Sequence, residues 1–241
     1  MLVFPNCKIN IGLNIIEKRS DGFHNIQSVF YPVPLCDALE VVLDSASDNI
    51  SLQLSGNEVP GDIADNIIVK AYHLIKRDYN LPGIKVHLHK IIPSGAGLGG
   101  GSSDAAFFIK VLNEVADLKM SIFDMLHYAS GLGSDCSFFI HNKPAFATQK
   151  GEVLEPISFS LKGYFLVLIK PNIFVSTAQA YAGVSPSIPK KSLYDSIQRP
   201  VEEWKDLIVN DFENSVFKSH PELKKIKDEL YRLGAVYASM S

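Results

Sequence analysis

A glycine-rich stretch, IIPSGAGLGGGSSDAA at residues 91–106, constrains the fold of this chain more than any other feature. It contains five glycines and three serines, follows the alternating segment IKVHLHK, and leads into the apolar segment AAFFIKVLNEV. Glycine lets a backbone approach a ligand closely, and the first turn of a helix offers unpaired N–H groups to an anion. The order therefore predicts a strand, a loop and a helix that together bind a phosphate group.

Three other interpretations of these glycines explain the sequence less well. Gly95, Gly97 and Gly100 match G-x-G-x-x-G, but a dinucleotide fold needs a second parallel strand after the helix, and MSIFDMLHYAS predicts another helix there. Gly95 and Gly100 also have the spacing of a Walker loop, but Gly101 stands where that loop requires lysine. A plain connector accounts for the glycines, but not for the two serines and the aspartate at the helix start.

The composition is that of an ordinary globular protein and limits the partners to be expected. The chain has 241 residues, of which 46% are hydrophobic and 20% charged, enough for one large domain or two modest ones. A formal charge of −3 gives no reason to expect a nucleic acid or an anionic membrane as partner. Cys7, Cys36 and Cys136 lack disulfide or metal-ligand spacing, and no leader or long apolar run is evident, so we expect a cytoplasmic protein.

The periodicity of apolar residues predicts an α+β chain. Alternation predicts antiparallel strands in the first 56 residues, with a turn at Asp21-Gly22, and a further buried strand at GYFLVLIK, residues 163–170. Helical spacing predicts a helix over 64–79 and others after the glycine stretch, with Ser176 capping a short one. Three more helices are predicted near the end, at 192–198, 201–217 and 222–234, and VYASMS after them reads as the start of a strand.

The segment PSGAGLGGGSSDAA, from Pro93 to Ala106, resembles the central motif of the GHMP kinase superfamily, named after galactokinase, homoserine kinase, mevalonate kinase and phosphomevalonate kinase. The resemblance implies a two-domain α+β kinase, with mixed or antiparallel sheets, helices packed on them, and an active-site cleft between domains 1–149 and 150–241. It also implies that ATP is the phosphoryl donor, and that its phosphates are bound by Pro93, Gly95, Gly97, Leu98, Gly99, Gly100, Gly101, Ser102 and Ser103.

A second resemblance narrows the substrate. PNCKINIGLNIIEKRSDGFHNIQSVF, residues 5–30, is similar to the amino-terminal signature of the branch of this superfamily that acts on cytidine diphosphate-linked methylerythritol. DNIIVKA, GSDCSFF, STAQAY and NDFE extend the similarity along the chain. The resemblance implies phosphorylation of the 2-hydroxyl of that small molecule, in the non-mevalonate route to isoprenoid precursors.

The same resemblance implies roles for individual residues. Asp135 accepts the proton of the substrate hydroxyl, and Lys8 holds that hydroxyl and compensates developing negative charge. Without the resemblance, an aspartate in a Gly-Ser turn reads as a turn or cap residue, and a histidine beside a hairpin turn reads as merely exposed. The substrate-binding set implied for the cytidine diphosphate part and its phosphates is Asn10, Phe23, His24, Thr177 and Tyr181, with cytosine stacked between Phe23 and Tyr181.

Asn66 and Lys90 match positions near adenine in the superfamily, although a helix cap and a solvated lysine at a strand end explain them equally well. The kinase reaction implies Mg²⁺, whose ligands the sequence does not identify. Ser102 or Ser103, with phosphates and water, are the candidates.

The last residues, Ala238 to Ser241, match the approach to a glycine-serine loop in relatives, so we expect a tail to follow in the intact protein and to be needed for turnover. Two alternatives stay open: another small-alcohol kinase of the superfamily, or a ligand-binding sensor on the same fold that has lost catalysis. Competition by cytidine nucleotides distinguishes the first, and absence of turnover the second.

Overall fold

The computed structural model describes the backbone of residues 1–241 and every side chain except those of Thr177, Ala178 and Ala182. It divides into two compact units, Met1–Ile9 with Pro32–Lys143, and Asn10–Tyr31 with Pro144–Ser241. The sequence division at 149/150 placed residues 10–31 with the amino-terminal domain. The structure groups them with the carboxy-terminal unit, and one of their two strands pairs with a strand that begins at Ala145.

The first unit contains a four-stranded sheet in the order β1-β4-β6-β5. These strands are β1 (Leu2–Val3), β4 (Ala38–Leu43), β5 (Ile50–Gly56) and β6 (Ile84–Lys90). β6 pairs antiparallel with β4 and parallel with β5, so both of its edges are hydrogen-bonded. A parallel pair requires a crossover, and the helix α1 (Ile67–Ile75) lies between β5 and β6 along the chain.

Three further helices of the first unit follow the glycine stretch: α2 (Gly100–Val115), α3 (Ile122–Leu132) and α4 (Cys136–His141). In α2, Ala105, Phe108, Ile109 and Leu112 are buried, and their spacing places them on one face of the helix. α3 begins with a capping box in which Ser121 and Asp124 each accept a hydrogen bond from the other's backbone N–H. The first unit thus holds the predicted strand, loop and helix in the predicted order.

The second unit is organised around a sheet in the order β2-β3-β7-β8. Its long strands β2 (Asn6–Lys18) and β3 (His24–Cys36) are joined at the Asp21-Gly22 turn, and β7 (Ala145–Thr148) pairs antiparallel with β3 and with β8 (Val153–Pro156). Its helices are α5 (Thr177–Ala182), α6 (Leu193–Ser196), α7 (Trp204–Leu207), α8 (Phe212–Ser219) and α9 (Pro221–Arg232). Ser176 caps α5 as predicted.

Three predictions about elements in the second unit are wrong. Residues 163–170 form no strand, and the Phe165 side chain is fully exposed. The helix predicted over 201–217 is interrupted, because Leu13 of β2 hydrogen-bonds to Val209 and Asp211 on either side of a bridge to Asn210. Residues 236–241, expected to begin a strand, form none. In the described part of the chain, no helix is long and apolar enough to cross a lipid bilayer.

Candidate active site

The loop between β6 and α2 requires glycine at three positions. Gly95, Gly97 and Gly99 have φ values of 66°, 73° and 67°, in the left-handed region that side chains rarely adopt. A Cβ built on Gly99 would lie 2.9 Å from Cε2 of Phe139 and 3.2 Å from Cγ of Lys8, so this glycine also permits close packing. By contrast, a Cβ on Gly101 would meet no heavy atom within 4 Å.

The loop encloses a cavity with a volume of about 360 Å³, a size common for small-ligand sites. The N-cap position of α2 is Gly99, and no side chain caps this helix, so its first N–H groups can donate to an anion in the cavity. The residues that line the cavity are Val59, Ile67, Lys90, Pro93, Ser94, Gly95, Ala96, Gly97, Leu98, Gly99, Gly100, Gly101 and Ser102. The arrangement suits a phosphate-containing ligand.

Lys8 and Asp135 lie together in the first unit. Lys8 Nζ is 3.4 Å from Asp135 Oδ2, and the lysine side chain is only 5% exposed, whereas the aspartate is 28% exposed. The Lys8 backbone N–H donates to the Leu98 carbonyl at 2.9 Å, which ties this lysine to the glycine loop. Asp135 occupies the N-cap position of α4, but its carboxylate accepts no hydrogen bond from a backbone N–H group of that helix. A capping role therefore does not explain an aspartate at this position.

Two residues expected at the nucleotide do not line the cavity. Ser103 is completely buried, its N–H donates to the Gly99 carbonyl, and its hydroxyl has no hydrogen-bond partner among the described residues. Its role at the phosphates or at magnesium stays a prediction. Asn66 caps α1, because its Oδ1 accepts the Ile68 N–H at 2.9 Å. Ile67, which follows it, does line the cavity, and Asn66 therefore lies near this wall.

Lys90 lies at the cavity wall, but its ammonium is buried between two carboxylates rather than solvated as its position at a strand end suggested. Asp37 and Asp104 are these partners, and sequence reasoning missed both. One signal was available: Lys90 continues the buried alternation Ile84, Val86 and Leu88 of β6, and a lysine on that face needs a counter-charge.

In the second unit, two of the predicted substrate residues, His24 and Tyr181, lie against each other. His24 stacks on Tyr181, with ring centroids 4.8 Å apart and planes inclined by 17°, and Phe212 contacts Tyr181 edge-on. Phe23 is 59% exposed and lies under the Lys150 ammonium, 5.1 Å from its ring centroid. The structure therefore places His24 against a face of Tyr181, and the stacking of cytosine between Phe23 and Tyr181 stays a prediction.

The remaining substrate candidates are Asn10 and Thr177. Asn10 lies on β2, and its Oδ1 is 3.5 Å from Ser28 Oγ, at the limit of a hydrogen bond. The Thr177 side chain lies outside the described residues.

The chain resembles known proteins over its whole length. The model of the GHMP kinases N terminal domain matches residues 66–143. A 4-diphosphocytidyl-2-C-methyl-D-erythritol kinase of Bacteroides thetaiotaomicron is 54% identical, and one of Parabacteroides distasonis is 49% identical; each match covers 100% of this chain and 88% of the relative.

Solved structures agree with these relatives. The crystal structure of a 4-(cytidine 5'-diphospho)-2C-methyl-D-erythritol kinase is similar with a TM-score of 0.79 at 27% identity, over 97% of this chain and 84% of that one. A mevalonate kinase structure has a TM-score of 0.63 at 15% identity, over 100% of this chain and 87% of that one, which shows a shared fold. On the strength of the sequence relatives, the chain belongs to the 4-diphosphocytidyl-2-C-methyl-D-erythritol kinase family of GHMP kinases.

Proposed function

We propose that this protein transfers the γ-phosphoryl group of ATP to the 2-hydroxyl of 4-diphosphocytidyl-2-C-methyl-D-erythritol, giving the 2-phosphate and ADP. The observation that carries the proposal is the 3.4 Å approach of Lys8 Nζ to Asp135 Oδ2, with Lys8 hydrogen-bonded to the glycine loop. Phosphoryl transfer needs a positioned hydroxyl and compensated phosphate charge, and these groups can supply both.

In the proposed reaction, Asp135 accepts the proton as the substrate O–H bond breaks, and the oxygen forms a bond to the γ-phosphorus. The bond from that phosphorus to the ADP oxygen breaks, and ADP leaves with the electron pair. The Lys8 ammonium stabilises the charge that develops on the attacking oxygen and holds Asp135 in place. Because Asp135 makes no cap hydrogen bond, its carboxylate is available to accept a proton.

The loop glycines and the start of α2 would bind the ATP phosphates through backbone N–H groups. Mg²⁺ would neutralise phosphate charge, and Ser102, whose hydroxyl is the side-chain oxygen of the α2 start at the cavity, would hold it together with phosphates and water. The described residues contain no group of three His, Cys, Asp or Glu that could hold a metal ion.

For the substrate, we propose that His24 and Tyr181 bind the cytidine diphosphate part, with Asn10, Phe23 and Thr177 as further contacts. The stacked rings of His24 and Tyr181 offer a flat surface of the kind on which a base stacks. The cytoplasm is the proposed compartment, since the three cysteines lack the spacing of a disulfide framework.

A coupled assay of ADP release tests the function. The purified intact protein is given ATP, Mg²⁺ and, in turn, 4-diphosphocytidyl-2-C-methyl-D-erythritol, mevalonate, homoserine and galactose. We expect ADP release only with the first, and inhibition of it by cytidine diphosphate. Turnover of another alcohol would indicate a different kinase of the superfamily, and tight binding of the first compound without turnover would indicate a sensor.

A further inference from the structure

The first unit contains a second cavity, separate from that of the glycine loop. Its volume is about 340 Å³, and none of the residues that line it also lines the glycine-loop cavity. Its walls come from α2, from α3 and from the connection between them, through Lys110, Asn113, Glu114, Asp117, Lys119 and Met125. The cavity is therefore large enough for a small molecule, and the residues that line it include two lysines.

Lys110 is half-buried at this cavity, and its amine contacts neutral groups. Its Nζ donates to the Phe139 carbonyl at 2.6 Å and lies 4.7 Å from the centroid of the Phe107 ring. The Phe139 carbonyl is one of the last four of α4, which have no partner within the helix. A carbonyl accepts a hydrogen bond from a neutral amine as well as from an ammonium, so this contact does not require a charge on Lys110.

The surroundings of Lys110 favour its neutral form. Burial disfavours the charged form of an amine, and it lowers the pKa of Lys110 to about 8. The charged groups that share the cavity are Glu114 on α2 and Asp117 and Lys119 on the connection to α3, while α4 contributes the Phe139 carbonyl. At pH 7.5 an amine with a pKa of about 8 is about one quarter neutral, compared with about 0.1% for an ordinary lysine.

Lys119, the other lysine at the cavity, has different surroundings. Its side chain is 80% exposed, and its Nζ forms an ion pair with Asp117 Oδ1 at 2.5 Å. An amine must be neutral to act as a nucleophile, and removal from water promotes this form. The two lysines should therefore differ in reactivity, although the same cavity gives both of them access to the same molecules.

We propose that Lys110 is a modification site at which a small acyl phosphate transfers its acyl group to Nζ. The neutral amine attacks the carbonyl carbon, and a C–N bond forms. The C–O bond to the phosphate breaks, and the phosphate leaves with the electron pair of that bond and with the proton that the nitrogen loses. An acyl phosphate is compact enough for this cavity, and because its phosphate leaves readily, the protein needs to supply only the amine.

The product would keep one contact of Lys110 and lose its charge. The new amide retains an N–H group that can donate to the Phe139 carbonyl, but the carbonyl end of α4 loses a cation that stabilises it. The proposal does not rest on the proposed kinase function, because the residues of this cavity are separate from those of the glycine loop.

Acetyl phosphate is the probe that tests the proposal. The intact protein is incubated with it at pH 7.5, and peptide mass spectrometry follows the acetylation of each lysine with time. Lys110 should react at least about 10-fold faster than Lys119. This ratio is smaller than the difference in neutral fraction because nucleophiles of lower pKa are intrinsically weaker, as thiols show.

The dependence on pH identifies the reason for the selectivity. Above about pH 8 the rate at Lys110 should level off, because most of its amine is then neutral. The rate at an ordinary exposed lysine rises about tenfold per pH unit up to pH 9.5. A merely accessible lysine would follow the second pattern.

Two variants test the role of the surroundings. Asn113→Asp adds a carboxylate three positions from Lys110 along α2, which favours the ammonium, so acetylation of Lys110 should slow about three- to tenfold. Lys119→Arg keeps a cation beside Asp117 and removes the other amine of the cavity, and it should leave the rate at Lys110 unchanged.

Equal rates at Lys110 and Lys119, or a rate at Lys110 that rises tenfold per pH unit up to pH 9.5, would overturn the proposal. The wild-type measurement decides even if Asn113→Asp does not fold. The assay of ADP release is independent of this measurement, so failure of the modification would leave the kinase proposal intact, and the reverse also holds.

Discussion

Two lysines adjoin the glycine loop, and the structure surrounds them differently. Lys8 pairs with the carboxylate of Asp135, which stays 28% exposed. Lys90 lies between Asp37 and Asp104, and all three are buried. One ion pair therefore remains open to a reacting molecule, whereas the other is closed to it.

The difference shows how solvent access to the paired carboxylate separates two roles of one residue type. An ammonium beside one accessible carboxylate can compensate charge that appears during a reaction. An ammonium enclosed by two buried carboxylates is committed to neutralising them, because leaving either unpaired in the interior is unfavourable. We therefore assign Lys8 a role in the reaction and Lys90 a role in holding the glycine loop in place.

Lys90→Met should have the largest effect and act on stability. It preserves the length of the side chain but leaves Asp37 and Asp104 buried without a cation, so we expect the free energy of unfolding to fall by about 3 to 5 kcal/mol. Chemical denaturation followed by circular dichroism measures this change. A variant as stable as wild type would show that the cluster does not depend on its ammonium.

Lys8→Met, the matched substitution at the open pair, should act on catalysis instead. Asp135 can be solvated once the ammonium is gone, so stability should change by less than about 1 kcal/mol. Turnover should fall about 100- to 1,000-fold, because the developing charge loses its compensation. Steady-state kinetics beside a denaturation curve measures both, and a stability loss equal to that of Lys90→Met would erase the distinction between the two sites.

Asp104→Asn should change how the stability of the protein depends on pH. The folded-state pKa of Asp104, raised to about 8, exceeds its unfolded value of about 3.9, so the folded protein binds the extra proton and loses stability as pH rises between these values. The variant removes this loss and should be about 1 to 2 kcal/mol more stable than wild type at pH 8. Unfolding curves at pH 5 and pH 8 test this, and a difference that does not grow with pH would contradict it.

His24→Ala should have a modest effect on stability and act mainly on substrate binding. It removes the stacked contact with Tyr181, which is worth about 0.5 to 1.5 kcal/mol. If these rings bind cytosine, the KM for the cytidine substrate should rise while the affinity for ATP stays constant. An unchanged KM would remove His24 from the proposed substrate contacts.

Sequence patterns predicted the elements of the first unit well, for a physical reason. The alternation in β6 forms a strand because β4 and β5 hydrogen-bond to both of its edges. The equally apolar residues 163–170 form none, since apolar character alone does not provide a neighbouring strand. Likewise, the helical pattern that runs through residue 210 does not form a continuous helix. Backbone groups there hydrogen-bond instead to Leu13, nearly 200 positions earlier in the chain.

The candidate site could be predicted where its residues are neighbours in the sequence. The loop glycines, with their left-handed φ values, and the uncapped start of α2 follow from one contiguous motif. The proximity of Lys8 and Asp135 came only from family resemblance, and Asp37 and Asp104 were not recognised. The charge cluster brings together residues from three separate segments, so no spacing in the sequence reveals it. The position of Lys90 on the buried face of β6 was the one sign that it needs charged partners.

The central claim, that Asp135 is the base for phosphoryl transfer, is tested most directly by Asp135→Asn. The substitution keeps the size of the side chain and removes its ability to accept the proton. Turnover of 4-diphosphocytidyl-2-C-methyl-D-erythritol should fall about 1,000-fold or more, while the dissociation constant for β,γ-imido-ATP changes by less than about twofold. Near-normal turnover with nucleotide binding retained would contradict this assignment.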